Sequence, residues 1–189
     1  MEKRAARKQI AQRVAALSAE ERKRRSAAAV RRVTELPEFQ QAHCVLLFVP
    51  MDDELDVTGL IEAALRMGKR VCVPVCAKGD RRLIPARLDG LEALAPGAYG
   101  ILEPKTVEEV PADRIDFVLV PAMGFDPQGN RLGRGEGYYD RFMSRDGFRA
   151  VKCGVAFDVQ VLEVVPHDAH DLPVEVLVTD ERVSRFGDS

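Results

Sequence analysis

The stretch "CVLLFVPMDDELDVTGLIEAALRMGKRVCVPV" (residues 44–75) holds two short apolar runs, CVLLFV (44–49) and RVCVPV (70–75), on either side of a segment with a different rhythm. The runs are aliphatic and rich in β-branched residues, with little polar alternation, as expected of strands buried on both faces of a sheet. Between them DVTGLIEAALRMG (56–68) reads as a helix, with Asp56 at the N-cap and Gly68 just past the end. Strand, helix and strand in this order form a βαβ unit, whose two strands must run parallel.

Working outward, DFVLVPA (116–122) and VKCGVAF (151–157) repeat the strand pattern, and RLIPARL (82–88) and VEVLVT (174–179) repeat it more weakly. The alternation predicts an α/β fold: a single-domain, open, mostly parallel sheet with helices on both faces. No repeat, low-complexity segment or linker divides the chain, so residues 1–189 are expected to form one domain, with basic helices in 1–36 packed on it. Residues 3–17 have an apolar helical stripe at Ile10, Val14 and Leu17. Traced backwards it reaches Arg7 and Lys3, so the docking face carries two cations at its start. A ligand role for that pair stands beside a solvated terminus as the other reading, with Arg24 and Arg25 read as surface charges. Ser18 and Glu21 spell a capping box that opens a second helix running to Leu36-Pro37.

Of the 189 residues, 46% are hydrophobic and 31% charged, which suits a soluble globule and excludes a disordered chain. No apolar run approaches the roughly 20 residues needed to span a bilayer, and the first residues lack the apolar core of a secretory signal. A cytoplasmic protein is expected. Cys44, Cys72, Cys76 and Cys153 are scattered, lack metal-ligand spacing and read as buried reduced thiols. Residues 1–32 hold eleven Lys or Arg against three Glu, a local +8 within a chain of net −2. Such an arm suits nucleic acid, a small polyanion or a solvated helix face.

Ligands of open α/β sheets sit beyond the carboxyl ends of the strands. Two loops leave that edge: PMDDEL after the run 44–49, and GNRLGRGEGYYDR (129–141) after the run 116–122. Alternating glycines at 133, 135 and 137 leave backbone N–H groups open to an anion. Arg131 and Arg134 add guanidinium forks for phosphate, and Asp140 can hold a divalent cation against the same oxygens. A glycine-rich surface turn is the plain alternative. Neither G-x-G-x-x-G nor the G-K-[ST] of a P-loop is present, and no serine sits in a nucleophile elbow. His167, Asp168, His170 and Asp171 have the composition of a metal cluster, but they read as a polar loop satisfying its own turns; His43 merely precedes a strand. Of Tyr138 and Tyr139, one is expected to pack inward and one to line the site.

The signature PAMGFDPQGNRLGRGEGYYDRF resembles that of the 5-formyltetrahydrofolate cyclo-ligases, the 5,10-methenyltetrahydrofolate synthetases. The resemblance extends to K-x-x-x-R at Lys3 and Arg7, to LSAEERKRRS, FVPMDDELDV, GVAFDVQ and HDLPVEVLVTD, nearly the whole chain. It implies ATP and magnesium as cofactors, a 5-formyltetrahydrofolate substrate, and a monomer that binds neither nucleic acid nor membrane. On this resemblance Lys3, Arg4, Arg7, Arg131, Leu132, Gly133, Arg134, Gly135, Gly137, Tyr138 and Tyr139 hold ATP. Val49, Met51, Glu54, Arg134, Gly135, Gly137 and Tyr138 face the folate. Asp140 and Glu175 bind the metal, and Arg134 and Asp140 are catalytic. Glu136, where relatives often carry lysine or glycine, has no assigned role.

The implied chemistry matches these residue types. The N5-formyl oxygen is a poor leaving group until it carries a phosphoryl group, after which N10 of the same molecule can close the ring and expel phosphate. Such a reaction needs positioning and charge neutralisation more than a covalent nucleophile. Two other readings remain: a nucleic-acid-binding relative using the basic helices, and a nucleotide-binding regulator without turnover. The first lacks an attached RNA-binding module, and the second would have lost Lys3, Arg131 or Asp140.

Overall fold

The computed structural model describes residues 2–77, 79, 81–97 and 100–187. A seven-stranded sheet forms the middle layer, in the order β11 (Val183–Arg185), β10 (Val176–Thr179), β9 (Val151–Ala156), β6 (Phe117–Val120), β1 (Cys44–Leu46), β2 (Arg70–Ala77), β3 (Arg82–Leu88). The five central strands are parallel, and the edge strands β3 and β11 are antiparallel to their neighbours. Two small hairpins, β4 (Leu94–Pro96) with β5 (Leu102–Pro104) and β7 (Gly124–Phe125) with β8 (Arg131–Leu132), lie outside it. The expected fold is therefore the observed one.

Alternate residues of each strand enter two separate cores. Val45, Val71, Val73, Phe117, Leu119, Val155 and Val178 pack with α1 (Lys3–Ala15), α2 (Ala19–Glu35), α3 (Pro37–Gln41) and α4 (Thr58–Arg66). Leu46, Cys72, Val118, Val120 and Leu177 pack with Phe142 and Met143 of α5 (Tyr138–Met143) and with the chain around Val110 and Ile115. Both faces are thus covered, very unequally: four helices on one side, one short helix and irregular chain on the other. This is why the strands read as unbroken apolar runs.

The sequence boundaries shift where pairing stops. β1 ends at Leu46, although Leu47, Phe48 and Val49 stay buried and the Leu47 N–H still donates to the Cys72 carbonyl of β2 at 2.9 Å. Asp56 does not cap α4; the N-cap is Val57, and the Asp56 carboxylate accepts the Thr58 N–H at 2.9 Å, an Asx-type turn before the helix. Gly68, at φ +72°, follows the last turn as expected. The capping box forms as read: Ser18 Oγ accepts from Glu21 N–H and Glu21 Oε2 from Ser18 N–H. In α1 the buried stripe is Ala6, Ile10 and Val14, and Leu17 packs just beyond the helix end.

The basic arm is fastened by its own cations. Arg25 is no surface charge: its guanidinium donates to Asp180 at 2.6 Å, with only 19% of the side chain exposed. Arg22 donates to the Asp52 carbonyl, and Arg32 to that of Glu181. Among the described residues no helix is long and apolar enough to cross a membrane.

Candidate active site

In an open parallel sheet the crevice opens where the strand order reverses, here between the carboxyl ends of β1 and β6. A cavity of about 830 Å³ occupies that place. Phe48, Val49, Met51 and Glu54 reach it from the chain after β1, Pro74 and Cys76 from β2, and Pro121 and Ala122 from the end of β6. The glycine loop 133–137 crosses it, and the start of α1 closes one side.

Folding of the glycine loop is fixed before it reaches the cavity. Asp126, fully buried, accepts from the N–H groups of Gln128, Asn130 and Val165 and from the Asn130 side chain, all at 3.0–3.1 Å. That carboxylate pins the β7–β8 turn. Gly135 and Gly137 then take φ +111° and +68°, a region that side chains rarely adopt. A Cβ at Gly135 would stand 3.4 Å from the Arg7 guanidinium, an ordinary contact, so it is the positive φ and not space that calls for glycine there. Arg7 returns the contact, its Nε donating to the Gly133 carbonyl at 2.9 Å.

Three groups of charges line the cavity. Lys3 Nζ lies 2.6 Å from both Asp168 and Asp171. Burial works against the charged forms of this cluster, yet the mutual hydrogen bonds and charges leave Lys3 raised and Asp171 lowered relative to their ordinary values. Beside it, buried Arg131 stands 2.5 Å from Asp140, whose carboxylate also accepts the Leu172 N–H at 3.0 Å. The ion pair is close but not aligned: Arg131 Nε and Nη2 make no directed hydrogen bond among the described residues. Across the cavity Arg134 donates to Asp53 at 2.8 Å and Glu54 at 3.2 Å, clasping the glycine loop to the loop after β1. Glu136 faces Arg81 at 3.8 Å, both well exposed.

Most of the expected site therefore converges. Lys3, Arg7, Val49, Met51, Glu54, Arg131, Leu132, Gly133, Arg134, Gly135, Gly137, Tyr138, Tyr139 and Asp140 all border the cavity. Two residues do not. Arg4 is exposed on the outer side of α1, because one residue of helix rotates a side chain about 100° away from Lys3. Glu175 precedes β10 at the amino end of the sheet, where it accepts the Lys152 N–H at 2.8 Å; it cannot meet Asp140 at the other end. One tyrosine was expected to pack inward and one to line the site; both border the cavity and both also pack against the core beside it, and the Tyr139 hydroxyl is buried without a hydrogen bond among the described residues, burial raising its pKa well above the usual value.

Sequence reading missed Asp168 and Asp171, which satisfy their own turn as expected, Asp171 accepting the Asp168 N–H at 2.8 Å, but also bind Lys3. Arg81, Cys76, Ile101 and Arg141 were missed as well. Cys44, Cys72 and Cys153 are buried free thiols; Cys76 is only half-buried, at the cavity wall, and burial lifts its thiol to about 11.

Residues 1–180 match the 5-formyltetrahydrofolate cyclo-ligase family. A 5-formyltetrahydrofolate cyclo-ligase of Escherichia coli is 34% identical over 178 residues, covering 92% of this chain and 98% of that one. One of Mus musculus is 31% identical, covering 96% of each. The solution structure of Aquifex aeolicus 5,10-methenyltetrahydrofolate synthetase superposes with a TM-score of 0.88 at 39% identity, covering all of this chain and 95% of the other.

Proposed function

Because the chain belongs to the 5-formyltetrahydrofolate cyclo-ligase family, we propose that it converts 5-formyltetrahydrofolate to 5,10-methenyltetrahydrofolate with ATP as co-substrate, releasing ADP and phosphate. The observation that carries this reading is a single cavity joining a charged wall (Lys3, Arg7, Arg131, Asp140, Asp171) to an apolar one (Phe48, Val49, Met51, Pro74, Ile101). The first suits a triphosphate and the second a flat heterocycle. Its volume of about 830 Å³ lies near the top of the usual range for small-molecule sites.

In this scheme the formyl oxygen attacks the γ-phosphorus, an O–P bond forms, and the bond to the β-phosphate oxygen breaks. N10 then attacks the formyl carbon; the C–N bond forms, the C–O bond breaks, and phosphate leaves with the N10 proton. Lys3, Arg7 and Arg131 bind the phosphates, and Arg134 neutralises charge on the oxygens in transfer. Val49 and Met51 seat the heterocycle and Glu54 accepts from its N–H groups. The glycine backbone lets the two reacting ligands approach across the loop.

The donor set also fits magnesium. Hard carboxylate oxygens at Asp140 and Asp171 stand in the charged wall, and the Lys3 ammonium already sits between Asp168 and Asp171 as a cation would. Among the described residues no three His, Cys, Asp or Glu side chains group to hold a metal; magnesium held partly by substrate phosphates needs only one or two carboxylates from a protein. Asp140 and Asp171 would hold it, and when bound it would neutralise phosphate charge; Glu175 is not part of this proposal.

The decisive experiment follows the absorbance of methenyltetrahydrofolate when purified protein meets 5-formyltetrahydrofolate, ATP and magnesium, with each omitted in turn. Growth that requires all three is expected. Equal closure without ATP refutes the scheme. The basic arm, whose cations are largely engaged with the body of the protein, gives nucleic-acid binding no comparable support.

A further inference from the structure

We infer that Arg81, at the tip between β2 and β3, is the contact for the carboxylates at the glutamate end of the folate, and so sets the enzyme's preference for glutamylated substrates. This inference rests on the proposed folate cyclisation. Three observations converge on it.

The first is the division of labour among the described cations that border the cavity: in the proposed cyclisation Lys3, Arg7 and Arg131 serve the phosphates and Arg134 the oxygens in transfer. Lys3 is held by Asp168 and Asp171 at 2.6 Å, Arg131 by Asp140 at 2.5 Å, and Arg134 by Asp53 at 2.8 Å. Arg7 is committed to the Gly133 carbonyl, and Arg141 to the carbonyls of Glu136 and Arg81. Among the described residues Arg81 pairs only with Glu136, at 3.8 Å, with 60% and 55% of the two side chains exposed. A pair that open is weak and easily exchanged for another anion.

Second, Arg81 is the one described non-glycine residue with positive φ, at +53°. A bulky side chain in that region is uncommon and marks a position held by its surroundings. Here the holder is visible: Arg141 Nε donates to the Arg81 carbonyl at 3.3 Å, tying the β2–β3 tip to α5 while its Nη2 binds the Glu136 carbonyl. The guanidinium is thus carried on a braced backbone.

Third, its place suits that end of the substrate. The apolar wall is built partly by β2, through Pro74 and Cys76, and Arg81 follows the same strand at the open rim. A folate seated by its ring against that wall must leave its carboxylates where water still reaches them, because burying them unpaired is costly. Arg81 meets them there, displacing Glu136.

The test compares 5-formyltetrahydrofolate with 5-formyltetrahydropteroate, which lacks the glutamate. Arg81→Ala should raise KM for the glutamylated substrate about five- to thirtyfold, the range of one charge-assisted contact. KM for the pteroate, KM for ATP and kcat should stay within about twofold. Glu136→Gln, which removes the competing anion, should lower KM for the glutamylated substrate. An equal rise for both folates would make Arg81 a wall residue, a rise confined to ATP would make it a phosphate contact, and no change in either variant would remove it from recognition; each overturns the inference. Failure of the cyclisation reading itself would show differently, as absence of turnover in the unaltered protein.

Discussion

Replacing Asp53 by asparagine should tighten the use of ATP, although Asp53 lies on the loop after β1 and not on the glycine loop. Arg134 is held by Asp53 at 2.8 Å and by Glu54 at 3.2 Å, with 41% of the arginine side chain and 59% of the Asp53 side chain exposed. To neutralise a transferring phosphate, the guanidinium must leave this clasp. A pair so exposed contributes only about 0.2–1 kcal/mol. Removing the Asp53 charge spares that cost, so KM for ATP should fall by a factor between about 1.4 and 5. The effect should shrink as salt screens the pair. Arg134→Ala, in contrast, removes the phosphate contact itself and should lower kcat by roughly 30- to 1,000-fold. Neither change should move the melting temperature by more than a few degrees, given the modest worth of the pair. Initial rates of methenyltetrahydrofolate formation against ATP concentration, at low and high salt, read all of this. If Asp53→Asn leaves KM for ATP unchanged or raises it, and Arg134→Ala keeps full kcat, the clasp is a surface decoration and the reasoning fails.

Two further outcomes follow from the geometry. Arg7→Ala should raise KM for ATP about fivefold or more while Arg4→Ala and Glu175→Ala leave kcat and both KM values unchanged, since only Arg7 borders the cavity; equal effects at positions 4 and 7 would contradict the inward-facing stripe. The hydrogen bond from Arg185 holds the Glu38 carboxyl below its ordinary value, so this pair stabilises the fold above pH about 4.5 and is lost as pH falls through the lowered folded value. The melting temperatures of the wild type and Arg185→Ala should therefore differ near pH 7 and converge once the pH has fallen below the lowered folded value, a convergence that scanning calorimetry would detect or deny.

Periodicity told much of this molecule in advance, and it failed where a side chain's place depends on distant chain. Lys3 and Arg7 were readable because the helix repeat carries a buried stripe back to them, and the same repeat, applied strictly, turns Arg4 away. Val45 and Leu46 announce a strand, but no local signal in the equally apolar Leu47, Phe48 and Val49 says that β1 ends at Leu46. Glu175 was given to the metal on the resemblance alone, and nothing in its residue type said that it stands before β10, at the end of the sheet away from the cavity. Asp171 was missed for the converse reason: its backbone turn is local and visible in composition, whereas its ion pair with Lys3 spans 168 positions of chain. Arg81 carries no pattern at all, and its setting arises from the contact of α5 with the β2–β3 tip.

The two antiparallel edge strands bear on a different property, the resistance of the protein to clumping. An unpaired strand edge is a template on which another chain can add. β3 is screened along its outer side, where Arg87 N–H donates to the Glu108 carbonyl and Val110 N–H to that of Pro85, and Pro85 itself offers no N–H. At the opposite edge β11 has three residues, too few for a stable intermolecular ladder, and Arg185 holds a charge there beside Glu38. The apolar strands β1 and β6, between which the active site opens, thus have at least two further strands on either side in one sheet with blunt margins, a layout that opposes edge-to-edge addition of another chain.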